Sequence, residues 1–258
     1  MSLKGPYGHT AQSHGISTLF QHLYLKFRTQ SSSKIIQFEV RRPSYFGERI
    51  MLTGKNLKLA EELLETIWFF NQKGWSPATA TNYSVRTENP FEIIISRSGV
   101  DKSKFTIDDI ILINSEGAIL PPYNKPGVKS SAETDLHLDI YNHFPEIRCV
   151  LHTHSVLGTV LSRAYEKNKE IPFEGWEILK AFEGNMTHEL QEILPIVPNS
   201  QLMPEIIQNM KDRFKKNVHG YLIASHGLYS WGKDIPTAKR HIETYEYLFE
   251  CLIKMRSF

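Results

Sequence analysis

A chain of 258 residues with 41% hydrophobic content can bury the core of one α/β domain, or at most of two small ones. Its net charge of +2 gives no overall attraction to nucleic acid or to an anionic membrane. Cys149 and Cys251 alone cannot build a disulfide framework, and no apolar run reaches spanning length or forms a leader. The expectation is a cytoplasmic protein with free thiols and a small-molecule substrate, without nucleic-acid or membrane partners.

Residues 1–56 read as an N-terminal extension of unknown role, with basic residues, Ser31-Ser32-Ser33 and one strand, Lys34 to Val40. The main domain is expected over 57–258. It opens with a helix in which Leu59, Leu63, Leu64, Ile67 and Trp68 recur at three-to-four spacing before Gly74 stops it. Two strands, Thr81–Arg86 and Phe91–Ser96, flank the turn-forming Thr87-Glu88-Asn89-Pro90 and suggest a hairpin. Ile110–Asn114 is a third strand, and Pro121–Gly127 is a loop. Ser130 followed by Glu133 reads as a capping box before a helix running to about His143. Cys149–His154 is a strand, and a last helix covers about Thr237–Met255. Hairpins mixed with helices disfavour a purely parallel sheet. The expected class is α/β (α+β), with a mixed, mainly antiparallel sheet covered by helices.

Leu151-His152-Thr153-His154-Ser155 is the sharpest chemical signal. Residues two apart in a strand project to one face, so His152 and His154 would offer two imidazoles side by side. A catalytic metal commonly takes three protein ligands and leaves a position open. His226, between the apolar run Gly220–Ser225 and Gly227, is the best third candidate. The remaining histidines (His9, His14, His22, His137, His143, His188, His219 and His241) are expected at the solvated surface.

Val150-Leu151-His152-Thr153-His154-Ser155 resembles the metal strand of the class II aldolase/adducin family, and Ser225-His226-Gly227-Leu228-Tyr229-Ser230-Trp231-Gly232 its third-ligand segment. Gly74–Ser84 and Ile95–Lys102 resemble further segments in the same order, so that the likeness covers about residues 58–256. The His-Gly-aliphatic-Tyr-x-Trp-Gly form is similar to the branch that dehydrates methylthioribulose 1-phosphate in methionine salvage. The resemblance implies a class II aldolase-like three-layer fold and one Zn2+ per subunit on His152, His154 and His226. It also implies phosphate binding by Thr81, Asn82, Ser98 and Gly99, and a homotetramer with sites between subunits.

By the same resemblance Glu177 is the acid/base of the dehydratases, a role suited by a carboxyl whose pKa is raised in a partly dry pocket. The register rests on Trp176–Lys180, because Glu174 and Glu183 are close by. Glu133 matches the catalytic glutamate of the sugar-phosphate aldolases, while its other reading is the capping box. The alternatives to a dehydratase are therefore a sugar-phosphate aldolase or epimerase and, less well supported, a non-catalytic adducin-like domain. Ala78–Thr81 and Pro198-Asn199 depart from the family's usual residues, and residues 1–56 have no counterpart in its domain.

Overall fold

The computed structural model describes residues 52–214 and 218–256. The expected strand Lys34–Val40, like His9, His14 and His22, lies outside the described residues.

The chain begins its regular structure with helix α1, Gly54–Gln72, which buries Ala60, Leu63, Leu64, Ile67 and Phe70 along one stripe. Gly74, at φ 76°, reverses the chain after it in a conformation that a side chain disfavours. Strands β1 (Asn82–Arg86), β2 (Glu92–Ser96) and β3 (Ile110–Asn114) then form an antiparallel meander. Helix α2 (Thr134–His143) leads to β4 (Cys149–Thr153), which every residue buries. Helix α3 (Val156–Ala164), strands β5 (Glu170–Phe173) and β6 (Glu192–Val197), and helix α4 (Met203–Lys211) follow. Strands β7 (Gly220–Ile223) and β8 (Gly227–Gly232) form a hairpin, and α5 (Ile235–Met255) closes the domain.

The eight strands run in the order β3-β2-β1-β4-β8-β7-β6-β5. Only β6 and β7 pair in parallel, and α4 supplies the crossover that a parallel pair requires. One apolar cluster packs α1, α3 and α5 on one face of the sheet; a second packs α2 and α4 on the other. The result is three layers around a mixed, mainly antiparallel sheet.

Two expectations fail. No capping box forms at Ser130, because α2 starts at Thr134 and Glu133 makes no side-chain cap bond. Ser131 holds the turn instead: its carbonyl accepts from the Thr134 hydroxyl (2.7 Å) and its hydroxyl from the Glu133 N–H (3.2 Å). The second failure concerns the histidines, since His137, His219 and His241 are buried rather than solvated. Each finds a partner for both ring nitrogens, which removes most of the cost of leaving water. His143 and His188 are exposed.

Candidate metal centre

The sheet assembles the centre from three adjacent strands. In register, Asn82 of β1 lies opposite His152 of β4, and His152 lies opposite Tyr229 of β8. His154 follows one residue beyond β4, its N–H held by the Trp75 carbonyl at 2.8 Å. His226 sits in the turn between β7 and β8, where Ser225 takes a left-handed φ of 56°. Ligand atoms of His152, His154 and His226 lie within 4.8 Å of one another.

Gly227 makes this convergence possible by close approach. A Cβ there would stand 2.2 Å from the Thr153 carbonyl oxygen, 2.9 Å from His154 Cδ2 and 3.0 Å from His152 Cε1. The missing side chain is the space into which β4 and its imidazoles fit.

The electrostatics suit a cation. His152 Nδ1 donates to the Leu228 carbonyl (3.0 Å), which leaves Nε2 as a lone pair facing His154 Nε2 at 2.7 Å. Burial, opposed in part by Glu133, lowers His152 well below the usual histidine range. Burial and then the His226 ring lower His154 to about 4. Both are thus neutral imidazoles at neutral pH, the form that coordinates metal.

Glu133 joins the cluster through 3.2 Å and 3.4 Å approaches to His226 Nε2 and His152 Nε2. Its Oε2 accepts from Asn82 Nδ2 (2.8 Å) and from the Tyr229 hydroxyl (2.7 Å). Burial pulls its pKa up, but His152, His226 and Tyr229 outweigh that and hold the carboxyl well below the usual range. With Oε2 taken up by Asn82 and Tyr229 and both oxygens set against the imidazoles, the carboxylate is placed to hold the ligands beside a cation. Three imidazole nitrogens that lie within 4.8 Å of one another, with a carboxylate beside them, fit a borderline metal such as zinc with a position left for substrate.

The other expected site residues are placed unevenly. Asn82 is part of the cluster, but its amide is already shared between Glu133 and the His137 ring. Thr81 precedes it at φ 76° with a buried hydroxyl lacking a hydrogen-bond partner. Ser98 and Gly99 form an exposed turn beyond β2, where the Ser98 N–H is taken by the Lys129 carbonyl at 3.0 Å. Glu177 pairs with none of the three candidate ligands His152, His154 and His226; the histidine it approaches is His188, at 3.7 Å. The glutamate lies on an exposed 3-10 turn, Glu177–Ala181, its side chain 71% exposed and paired with Lys180. That hydrogen bond lowers its pKa, the opposite of the expected rise in a dry pocket.

Tyr229, legible only as part of the His-Gly-aliphatic-Tyr form, and His137, expected at the surface, both belong here. Tyr229 stacks on the His152 ring at 4.0 Å and, kept protonated by burial and by Glu133, donates to that carboxylate. His137 stands four residues after Glu133 on α2, and that one-turn spacing is the signal that could have found it. A cavity of about 640 Å³ opens beside the cluster, lined by Glu133, His154, Val156, Thr159, Val160, Asn199, Gln201 and His226, among others.

The fold is that of the class II aldolases: residues 61–253 match the Class II Aldolase and Adducin N-terminal domain, and the chain belongs to that family. Within it, the chain is 44% identical over 198 residues to methylthioribulose-1-phosphate dehydratase of a Picosynechococcus species, spanning 76% of this chain and 92% of that protein. It is 41% identical over 200 residues to the enzyme of the same name from Stenotrophomonas maltophilia, spanning 77% and 92%. Solved structures share the fold. YgbL of Escherichia coli superposes with a TM-score of 0.65 at 21% identity, covering 77% of this chain and 90% of its own. L-fuculose-1-phosphate aldolase of Thermus thermophilus gives 0.62 at 19%, covering 78% and 96%.

Proposed function

We propose that this chain dehydrates 5-methylthioribulose 1-phosphate to 2,3-diketo-5-methylthiopentyl 1-phosphate, a hydro-lyase reaction of methionine salvage. The observation that carries the reading is a convergent three-imidazole cluster in a chain 44% identical to a dehydratase over nine-tenths of that enzyme's length. His152, His154 and His226 would hold one Zn2+ per chain. When bound, the ion supplies a Lewis acid at the substrate's carbonyl.

The reaction removes a proton from C3, breaks the C4–O bond and releases water; the resulting enol tautomerises to the diketone. Glu177 is the residue proposed to give a proton to the departing C4 hydroxyl. In one chain it is solvated, so we place it in a site completed by a neighbouring copy, within a homotetramer, where loss of water would make it a better acid. Glu133 keeps its ionised form through Asn82 and Tyr229 and holds the imidazoles in register. The phosphate is assigned to the Ser98–Gly99 turn with Thr81, whose unpartnered buried hydroxyl offers a donor. Asn82 would join it only by exchanging a present partner. Val156 and Val160, apolar and exposed in the cavity wall, suit the methylthio end. The setting is cytoplasmic, and among the described residues no helix is long and apolar enough to cross a membrane.

One observation favours a second reading. Glu133, at the position of the aldolases' catalytic glutamate, is the carboxylate that touches the imidazoles. Under aldolase or epimerase chemistry it, and not Glu177, would be indispensable. Incubation with methylthioribulose 1-phosphate and, separately, fuculose 1-phosphate decides between them. Diketone from the first substrate alone is expected; aldehyde from the second would overturn the dehydratase reading.

A further inference from the structure

Behind the 3-10 turn that carries Glu177 lies a second cluster of titratable side chains, which the proposed chemistry does not use. His219, just ahead of β7, points Nδ1 at both oxygens of Glu192 (3.1 and 3.2 Å) and Nε2 at the Glu183 carbonyl (2.9 Å). His241, on α5, has Nδ1 against the Trp231 carbonyl (2.8 Å) and Nε2 against the Glu183 N–H (3.0 Å). Glu192 also accepts from the Tyr245 hydroxyl at 2.5 Å. All four side chains are buried.

The proton pattern follows from the partners. Trp231 offers His241 only a carbonyl, so Nδ1 carries the hydrogen and Nε2 is left to accept. Burial, and then the His219 ring at 4.8 Å, lowers His241 to about 3, which keeps that acceptor unprotonated. His219 turns Nε2 to the Glu183 carbonyl, an acceptor, and Nδ1 to the Glu192 carboxyl. Two imidazoles of complementary character, from two elements, therefore grip the N–H and the C=O of one residue.

What they grip is the end of a short stretch set between two glycines. Gly175 and Gly184, at φ 75° and 87°, bracket residues 176–183, and a side chain at either would meet nothing. Leu179 and Phe182 anchor the stretch in the core, Phe182 stacking on the His219 ring at 5.0 Å. Arg240 Nε adds a bond to the Ala181 carbonyl at 2.8 Å. Glu177 stands on the solvent side of the same turn.

We propose that His219 and His241 are positioning residues: a clamp on the Glu183 backbone that sets where Glu177 presents its carboxyl. The proposal rests on the acid/base reading of Glu177. The test is a double-variant cycle in the metal-loaded enzyme, read as kcat and KM for methylthioribulose 1-phosphate together with metal content and Tm. His241→Ala is expected to lower kcat about 10–100-fold, the scale of an ångström-sized misplacement, with KM and metal content unchanged. His241→Gln, which can again accept from the Glu183 N–H, should recover most of the loss. Combined with Glu177→Gln, His241→Ala should lower the rate no further, since it acts only through Glu177. A multiplicative loss in the double variant, with Glu177→Gln itself strongly impaired, overturns the clamp and leaves the acid/base reading standing. Full activity of Glu177→Gln overturns both. If His241→Ala fails to fold, Arg240→Ala, on the surface, carries the same cycle with a smaller first step; no loss of kcat there overturns the clamp.

Discussion

Gly227→Ala perturbs the metal centre by a single methyl group. The added carbon would lie 2.2 Å from the Thr153 carbonyl oxygen, where contact needs about 3.2 Å, so about 1 Å of movement must be found. It cannot come from a flexible side-chain tip. The obstacles are the backbone of β4, which is paired to β1 and β8, and the His152 and His154 rings. Overpacking of this kind costs about 1–3 kcal/mol, a fall of about 2–12 °C in Tm for a domain of this size. The larger effect should be on the ligands. Metal bonds tolerate about 0.2 Å, so a shift of that size should weaken metal affinity about 100-fold, with activity falling in step.

The assay is bound metal against buffered free zinc, with Tm measured on the same samples. Gly232→Ala is the control, because its Cβ would meet the Ala238 N at 2.5 Å and Thr237 at 2.9 Å, away from the imidazoles. It should lose comparable stability and keep its metal. Gly227→Ala with wild-type metal affinity, or equal metal loss in both variants, would refute the reasoning.

Glu177→Gln should lower kcat by about 10²–10⁴ with little change in KM, the usual loss for a general acid or base. Glu133→Gln should chiefly lower metal content, and a metal-replete but dead Glu133→Gln beside an active Glu177→Gln would instead mark aldolase chemistry. Gly99, at φ 76° in open space, should accept Val only with backbone strain. Gly99→Val is expected to raise KM and spare metal content, and an unchanged KM would reduce the turn to a structural one. Glu246 of α5 is a buried carboxyl raised to about 8 by burial, which the neighbouring Ser155 hydroxyl offsets only in part. Folded Glu246 keeps its proton where the unfolded chain has lost it. Stability present below about 4.5 should therefore fall as pH rises to about 8, by at most about 4–5 kcal/mol, and Glu246→Gln should flatten that slope in denaturant titrations.

How far the residues disclose this site depends on whether a signal is local or crosses the sheet. His152 and His154 are legible because residues two apart in a strand share a face; the first hairpin is legible from its turn residues Thr87–Pro90 and the terminal helices from their three-to-four spacing. Residues 192–211 carry no such period. Strand β6 is buried on both faces, so its run of apolar residues does not alternate, and α4 spans only nine residues. Tyr229 was hidden differently: its place follows from strand order, β1-β4-β8, which sets it across from His152. Glu133 shows the same limit in reverse. The capping-box pattern is a local rule, and it loses because Asn82, Tyr229 and two imidazoles, none of them near in sequence, offer the carboxylate more than one N–H can. The buried histidines complete the case. His219 and His241 look like surface residues until Glu192, Trp231 and the Glu183 backbone are brought around them. A polar residue with distant partners is invisible to periodicity, so chemistry built across the sheet is what sequence reading misses first.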